Sequence, residues 1–309
     1  MRLGVVTEAF GERPLGAVLD WLTASAPGVT DLELASGGYP PTPHCRRSAL
    51  LADPAARRQW QQGIEERGFR IAALNAWGNP LDPDQELARR HDADLRESIR
   101  LAAELGVNRV LALAGCPGDL RPRFGAGGWL PYLEGEHERQ WNEVGAPYWH
   151  DVSEFAKREH PEALICIELH PGTLVYNHVT FCDLAAVGDN LVANVDPSHF
   201  FWMRMDPMAV VARLPRVGYA HLKDVVFDDA NLALNGLLDH RWPEDPVTLP
   251  WRFAALGDGH DAAWWREFLD ALAARGVETA AVEHEDPLKP AEEGIAAAAR
   301  MLAGEQAKT

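Results

Sequence analysis

The sequence predicts an α/β chain folded as a (β/α)8 barrel, a closed sheet of parallel strands wrapped by helices. Three observations carry that expectation. Short runs rich in Val, Ile and Leu recur eight times and are continuously apolar, as strands buried on both faces are. Each is followed by a longer stretch with Leu and Ala at helical spacing, the pattern of crossover connections. No Gly-x-Gly-x-x-Gly follows the first run, where Val6-Thr7-Glu8-Ala9-Phe10 stands instead, which disfavours an open dinucleotide-binding sheet.

In chain order, the first strand is expected at 3–7 and its helix at 15–26, then a strand at 31–34 and a helix at 54–67 closed by Gly68. A third strand at 70–75 leads to a long helix at 84–105, which Gly106 stops. The fourth pair is 109–114 and 138–159, the fifth 164–169 and 179–186, and the sixth 191–196 and 207–213. The seventh pair is 217–222 and 262–274, closed by Gly276, and the eighth is 278–283 and 290–302. The chain of 309 residues exceeds the ~250 of an ordinary barrel, so some loops must be long. Two stand out: 115–136 after the fourth strand, with Trp129, and 225–256 after the seventh, with Trp242 and Trp251. One barrel domain is expected over 1–303, followed by a polar tail at 304–309.

Composition narrows the function. A content of 47% hydrophobic and 24% charged residues suits a chain with a full core. Twenty-nine Lys and Arg against 46 Asp and Glu give a formal charge of -17, which repels nucleic acid and anionic lipid. No run reaches the ~18 apolar residues a membrane span needs, and the beginning lacks the form of a signal peptide, so a cytoplasmic protein is expected. Cys45, Cys116, Cys166 and Cys182 form no Cys-x-x-Cys pair, which argues against a disulfide framework or a thiolate zinc site; Cys166 reads as a core residue.

Chemistry in such a barrel sits at the carboxyl ends of the strands. Strands five to eight end in Glu168, Asp196, His221 and Glu283 respectively. From neighbouring strands, these side chains can converge on one point. Three ionised carboxylates do not share a site without a cation, and a divalent metal resolves the conflict. Hard oxygen donors with one imidazole suit Mn²⁺ first, then Mg²⁺ or Co²⁺, with Zn²⁺ a lesser fit. The plainer alternative is four unrelated polar residues at strand ends, with Asp196 and Glu283 paired to a nearby Arg or Lys.

The chain also resembles a known family, the sugar phosphate isomerase/epimerase-like group of xylose-isomerase-type TIM barrels, essentially end to end. The resemblance rests on Thr7-Glu8-Ala9-Phe10, Gly37-Gly38-Tyr39-Pro40, Ala73-Leu74-Asn75, Gly78-Asn79-Pro80-Leu81 and Gly115-Cys116-Pro117-Gly118-Asp119. It continues through Glu168-Leu169-His170-Pro171-Gly172, Asp196-Pro197-Ser198-His199, His221-Leu222-Lys223-Asp224, Gly257-Asp258-Gly259-His260-Asp261 and Glu283-His284-Glu285-Asp286. It implies that Glu168, Asp196, His221 and Glu283 are metal ligands, that His199 contacts substrate, and that both glutamates exchange protons with substrate carbon. The implied reaction is isomerisation or epimerisation of a sugar through an enediolate. The alternative is elimination from a 3-oxo-glycoside, as in C-glycoside deglycosidase α-type subunits, which work beside a small β-rich chain.

Further substrate contacts are expected from His170, Lys223, Asn75, Trp77 and His260. Lys223 and Asp224 are expected to hold an oxygen of the intermediate, the alternative being an ion pair at the strand end, and Asp261 could cap the seventh helix. Trp77, Trp129, Trp202, Trp242 and Trp251 could line a sugar pocket or bury loop cores. His137 and His150 read as solvated helix residues, His284 as facing outward, and His240 as uninformative. The acidic stretch after strand eight favours an unphosphorylated sugar or glycoside. Abasic-site endonucleases share the ligand pattern, but the histidines they take from early strands are missing, because Glu33, Asn75 and Gly115-Cys116 stand there. Expected partners are a small carbohydrate and either a second copy or a small β-rich subunit, without nucleic acid or membrane.

Overall fold

In the computed structural model, residues 1–118, 135–239 and 248–304 are described. Asp119, Trp129, His240, Trp242 and the tail from residue 305 lie outside them. Eight parallel strands close into a barrel: β1 (Arg2–Val6), β2 (Val29–Gly38), β3 (Arg70–Trp77), β4 (Arg109–Leu113), β5 (Leu164–Glu168), β6 (Leu191–Val195), β7 (Val217–Leu222) and β10 (Thr279–Val282). β1 pairs with both β2 and β10, which closes the ring.

Helices follow the strands as the spacing predicts, with differences at the edges. After β2, a short helix α2 (Arg47–Ala52) precedes α3 (Pro54–Glu65), which starts where Asp53 accepts from the Ala55 and Ala56 amides. The longest, α4 (Gln85–Leu105), buries Ala88, His91, Leu95, Ile99 and Ala102, one stripe at three- and four-residue spacing. Gly106 ends it at φ +68°, where Val107 N–H reaches back to the Ala102 carbonyl. The fourth helix begins earlier than expected, as α5 (Glu136–Gln140), and runs through a π turn into α6 (Ala146–Glu159). None of the described helices is long and apolar enough to cross a membrane.

The long connection after β7 is not a plain loop. Its described parts form a two-stranded antiparallel ribbon, β8 (Asp224–Phe227) with β9 (Trp251–Ala254), and a helix α10 (Asp229–Asn235). Trp202 stacks on Trp251 at 4.7 Å and 9°, so these two tryptophans hold the ribbon against α8 (Pro197–Trp202).

Strand periodicity divides the interior. Val5, Leu32, Leu74, Ile165, Ile167 and Ala220 face the helices in the main core. Val6, Ala73, Leu111, Cys166, Val192, Tyr219 and Ala281 form a separate buried cluster. Steps of two from that inner set reach Glu8, Asn75, Glu168, Asp196, His221 and Glu283, so one parity of each strand supplies both the apolar plug and the polar rim above it. Below the plug, buried Asp31 accepts from Thr279 Oγ1 at 2.6 Å and pairs with Arg70, which fastens the amino-terminal end of the barrel.

Candidate metal centre and active site

Glu168 is the last residue of β5, Asp196 follows β6 and caps α8, His221 lies in β7, and Glu283 follows β10. All four are buried, and one ligand atom from each lies within 4.8 Å of all the others. The convergence expected of these residues is therefore met. Three carboxylates and an imidazole at that spacing fit a divalent cation in charge and in donor type.

Lys223 reaches the same cluster. Its buried Nζ lies 3.1 Å from Asp196 Oδ2, 3.0 Å from Glu283 Oε2 and 2.8 Å from Glu285 Oε2. The pairing of Asp196 and Glu283 with a nearby Lys is thus present as well as the ligand geometry. Burial opposes the ammonium charge, but Asp196, Glu283 and Glu285 hold the Lys223 pKa well above its ordinary value. The Phe253 ring, on β9, lies 4.6 Å from Nζ, so the ribbon roofs this part of the site.

The two glutamates sit in opposite environments. Burial pushes Glu283 up to about 8, against the pull of Lys223 and His221. Burial also acts to raise Glu168, yet hydrogen bonding by His199 and His221 holds it well below the usual carboxylate range. His199 Nε2 lies 3.1 Å from Glu168 Oε1 and 3.5 Å from Asp196 Oδ2. Two carboxyls with divided pKa values are the arrangement acid–base chemistry uses.

Other expected contacts are distributed unevenly. A cavity of about 490 Å³ is lined by Glu168, Glu283, His170, Lys223 and Trp77, together with Glu8 and Glu285. Burial drives the His170 pKa down to about 4, helped by the charge of neighbouring His199, so its ring is neutral and packs on His199 at 4.3 Å. Asn75 lies beneath that cavity, where its Nδ2 donates to Glu8 at 2.7 Å and Glu33 at 2.9 Å. His260 stands elsewhere: it lines a second cavity of about 750 Å³ with Phe201, Arg204 and Asp206, stacked 3.9 Å from Phe201. Asp224 fixes it there, with Oδ1 2.7 Å from His260 Nδ1 and Oδ2 accepting from the Gly257, Gly259 and His260 amides. Asp224 is thus a loop anchor, and Asp261 caps α11 (Ala262–Ala274) as expected.

Sequence reasoning missed Glu33. It lies within β2, which runs to Gly38 rather than ending near Leu34, and its Oε2 is 3.0 Å from His221 Nε2. The signal was a charged residue enclosed in an apolar run, Leu32-Glu33-Leu34, where burial demands a partner. Glu285 and Glu8 were visible only as members of longer motifs.

The fold and the four possible ligands define a class, the (β/α)8 barrels with a buried carboxylate-rich cluster at the carboxyl ends of their strands, and comparison fixes the family. The model of the Xylose isomerase-like TIM barrel family matches residues 24–304, and the chain belongs to that family. It is 34% identical over 304 residues to the protein YfiH of Bacillus subtilis (strain 168), covering 96% of each chain. Among solved structures, it is similar to 3-keto-D-glucoside 4-epimerase, YcjR, from E. coli, at TM-score 0.63 and 12% identity over 97% of this chain and 98% of that one. It is also similar to the IOLI protein with a bound zinc atom, at TM-score 0.62 and 17% identity over 99% of this chain and 98% of that one. At those identities, the two structures share the fold.

Proposed function

We propose that this protein is a divalent-metal-dependent sugar isomerase or epimerase that moves a proton at a carbon next to a carbonyl. One observation carries the reading: Glu168, Asp196, His221 and Glu283 present ligand atoms within 4.8 Å of one another, and Glu168 and Glu283 line the cavity. Those four residues would hold the ion, which when bound polarises the substrate carbonyl and lowers the cost of charge on its oxygen.

The remaining chemistry belongs to the chain. Glu168, held anionic by His199 and His221, takes the proton from the carbon beside the carbonyl, and the electron pair passes into the substrate as an enediolate. Glu283, whose carboxyl belongs to the same cluster, returns a proton. Delivery to the opposite face of the same carbon is epimerisation, and delivery to the neighbouring carbon is isomerisation. Lys223, fixed by three carboxylates, balances charge beside Glu283.

An unphosphorylated substrate is supported by the lining itself. Glu8, Glu168, Glu283 and Glu285 surround the cavity, and Lys223, its one Lys or Arg among the described residues, is already committed to carboxylates. A phosphate dianion would find no uncommitted Lys or Arg among the described residues of that lining. Incubating the Mn²⁺-loaded protein with a panel of ketoses and 3-oxo-glycosides in deuterated water tests the reading. Deuterium entering at a carbon beside the carbonyl is expected. Absence of exchange across the panel overturns it, and release of an aglycone would redirect it to elimination.

A further inference from the structure

The cavity beside the ligand cluster is also lined by Glu8 and Trp77, and each carries a solvent-shielded polar atom with no hydrogen-bond partner among the described residues: Glu8 Oε2 and Trp77 Nε1. Glu8 stands two residues past β1 and Trp77 ends β3, strands that contribute none of the four ligand candidates. Both side chains are held in place. Glu8 Oε1 accepts from Asn75 Nδ2 at 2.7 Å, and the same nitrogen donates to Glu33 Oε1 at 2.9 Å. The Trp77 ring meets His221 edge-on at 5.5 Å and 89°.

Buried polar atoms without partners are uncommon because desolvation without a hydrogen bond is costly. Two of them lining one cavity point to a ligand that supplies what is missing. The pair asks for adaptable chemistry, since an indole N–H that donates and a carboxyl that accepts when ionised and donates when protonated belong to residues lining one cavity. An ammonium only donates, and a carboxylate or phosphate only accepts; a hydroxyl does both. We infer that Glu8 and Trp77 form a hydroxyl-recognition subsite that fixes the polyol chain of a neutral sugar while its carbonyl end lies at the ligand cluster. This deepens the proposed function and rests on it. Burial and the charge of Glu33 also raise the Glu8 pKa to about 8, and a hydroxyl pairs with that carboxyl in either protonation state.

Calorimetric titration of the Mn²⁺-loaded full chain with D-fructose, D-sorbose, xylitol and their single-deoxy analogues tests the subsite. In the wild type, loss of one particular hydroxyl should weaken binding about 10-fold, the scale of one hydrogen bond to a buried partner. Glu8→Ala and Trp77→Phe should each weaken the parent probe to a similar extent and lose most of the deoxy penalty. Glu8→Gln, which keeps an amide to pair with the hydroxyl, should stay within about threefold of wild type. Unchanged Mn²⁺ affinity in the three variants would show the cluster intact. The inference fails if the variants bind as wild type does, if the deoxy penalty persists in them, if Mn²⁺ affinity falls with sugar affinity, or if no probe binds. Glu8-dependent ketose binding without any deuterium exchange would sink the isomerase reading alone and leave the subsite standing.

Discussion

His221 Nε2 lies 3.0 Å from Glu33 Oε2 across the barrel interior. A carboxylate oxygen accepts and does not donate, so the hydrogen is on Nε2. That leaves Nδ1, 3.4 Å from Glu283 Oε2 and 3.8 Å from Glu168 Oε1, as the atom turned to the cluster. Glu33 is a positioning residue acting through His221.

Glu33→Ala should therefore weaken Mn²⁺ binding about 10- to 100-fold, the usual cost of losing the partner of a ligating histidine. Glu33→Gln, whose amide oxygen still accepts from Nε2, should recover part of it. Competitive titration against a fluorescent chelator reads both.

Metal should stabilise the fold by mass action. At a free Mn²⁺ concentration 100 times the Kd, the gain is about 2.7 kcal/mol. A rise of about 4 °C in Tm is expected over protein in chelator, by differential scanning calorimetry. Asp196→Asn should lose most of that rise.

Lys223→Met leaves Asp196, Glu283 and Glu285 without their common cation. Removing one partner of a buried ion pair costs about 3–5 kcal/mol, so metal-free K223M should unfold well below the wild type in urea. Mn²⁺ should rescue it by more than it raises the wild type, because the ion then supplies the charge alone.

Glu168→Gln should lower ketose deuterium exchange by about 10²- to 10⁴-fold, the range for loss of a general base. Nuclear magnetic resonance of the recovered sugar measures it. Exchange retained at the wild-type rate would assign the base elsewhere.

Glu8 makes stability pH-dependent in a stated direction. Its pKa rises from 4.5 to about 8 on folding, first through burial and then through Glu33. Between those values the folded chain holds a proton that the unfolded chain has released, so this contribution is full below 4.5 and lost as pH rises through about 8. Urea titrations at pH 5 and pH 9 should show wild type losing more stability than Glu8→Gln. Equal losses would count against a buried, raised carboxyl.

What could be read from the chain alone was everything that follows a local period. Continuous apolar runs marked the eight strands, Gly106 and Asp261 marked helix ends, and the last polar residues of strands five to eight marked the cluster, because residues of one strand parity reach the barrel mouth together. Tertiary structure alone decided the partners. Glu33 meets His221 from a strand 188 residues away in sequence, Lys223 serves three acidic residues at once, and His260 turns to Asp224 and Phe201 instead of the cluster. Those choices depend on barrel closure and on which side chains share a desolvated space, and neither has a signature in local spacing.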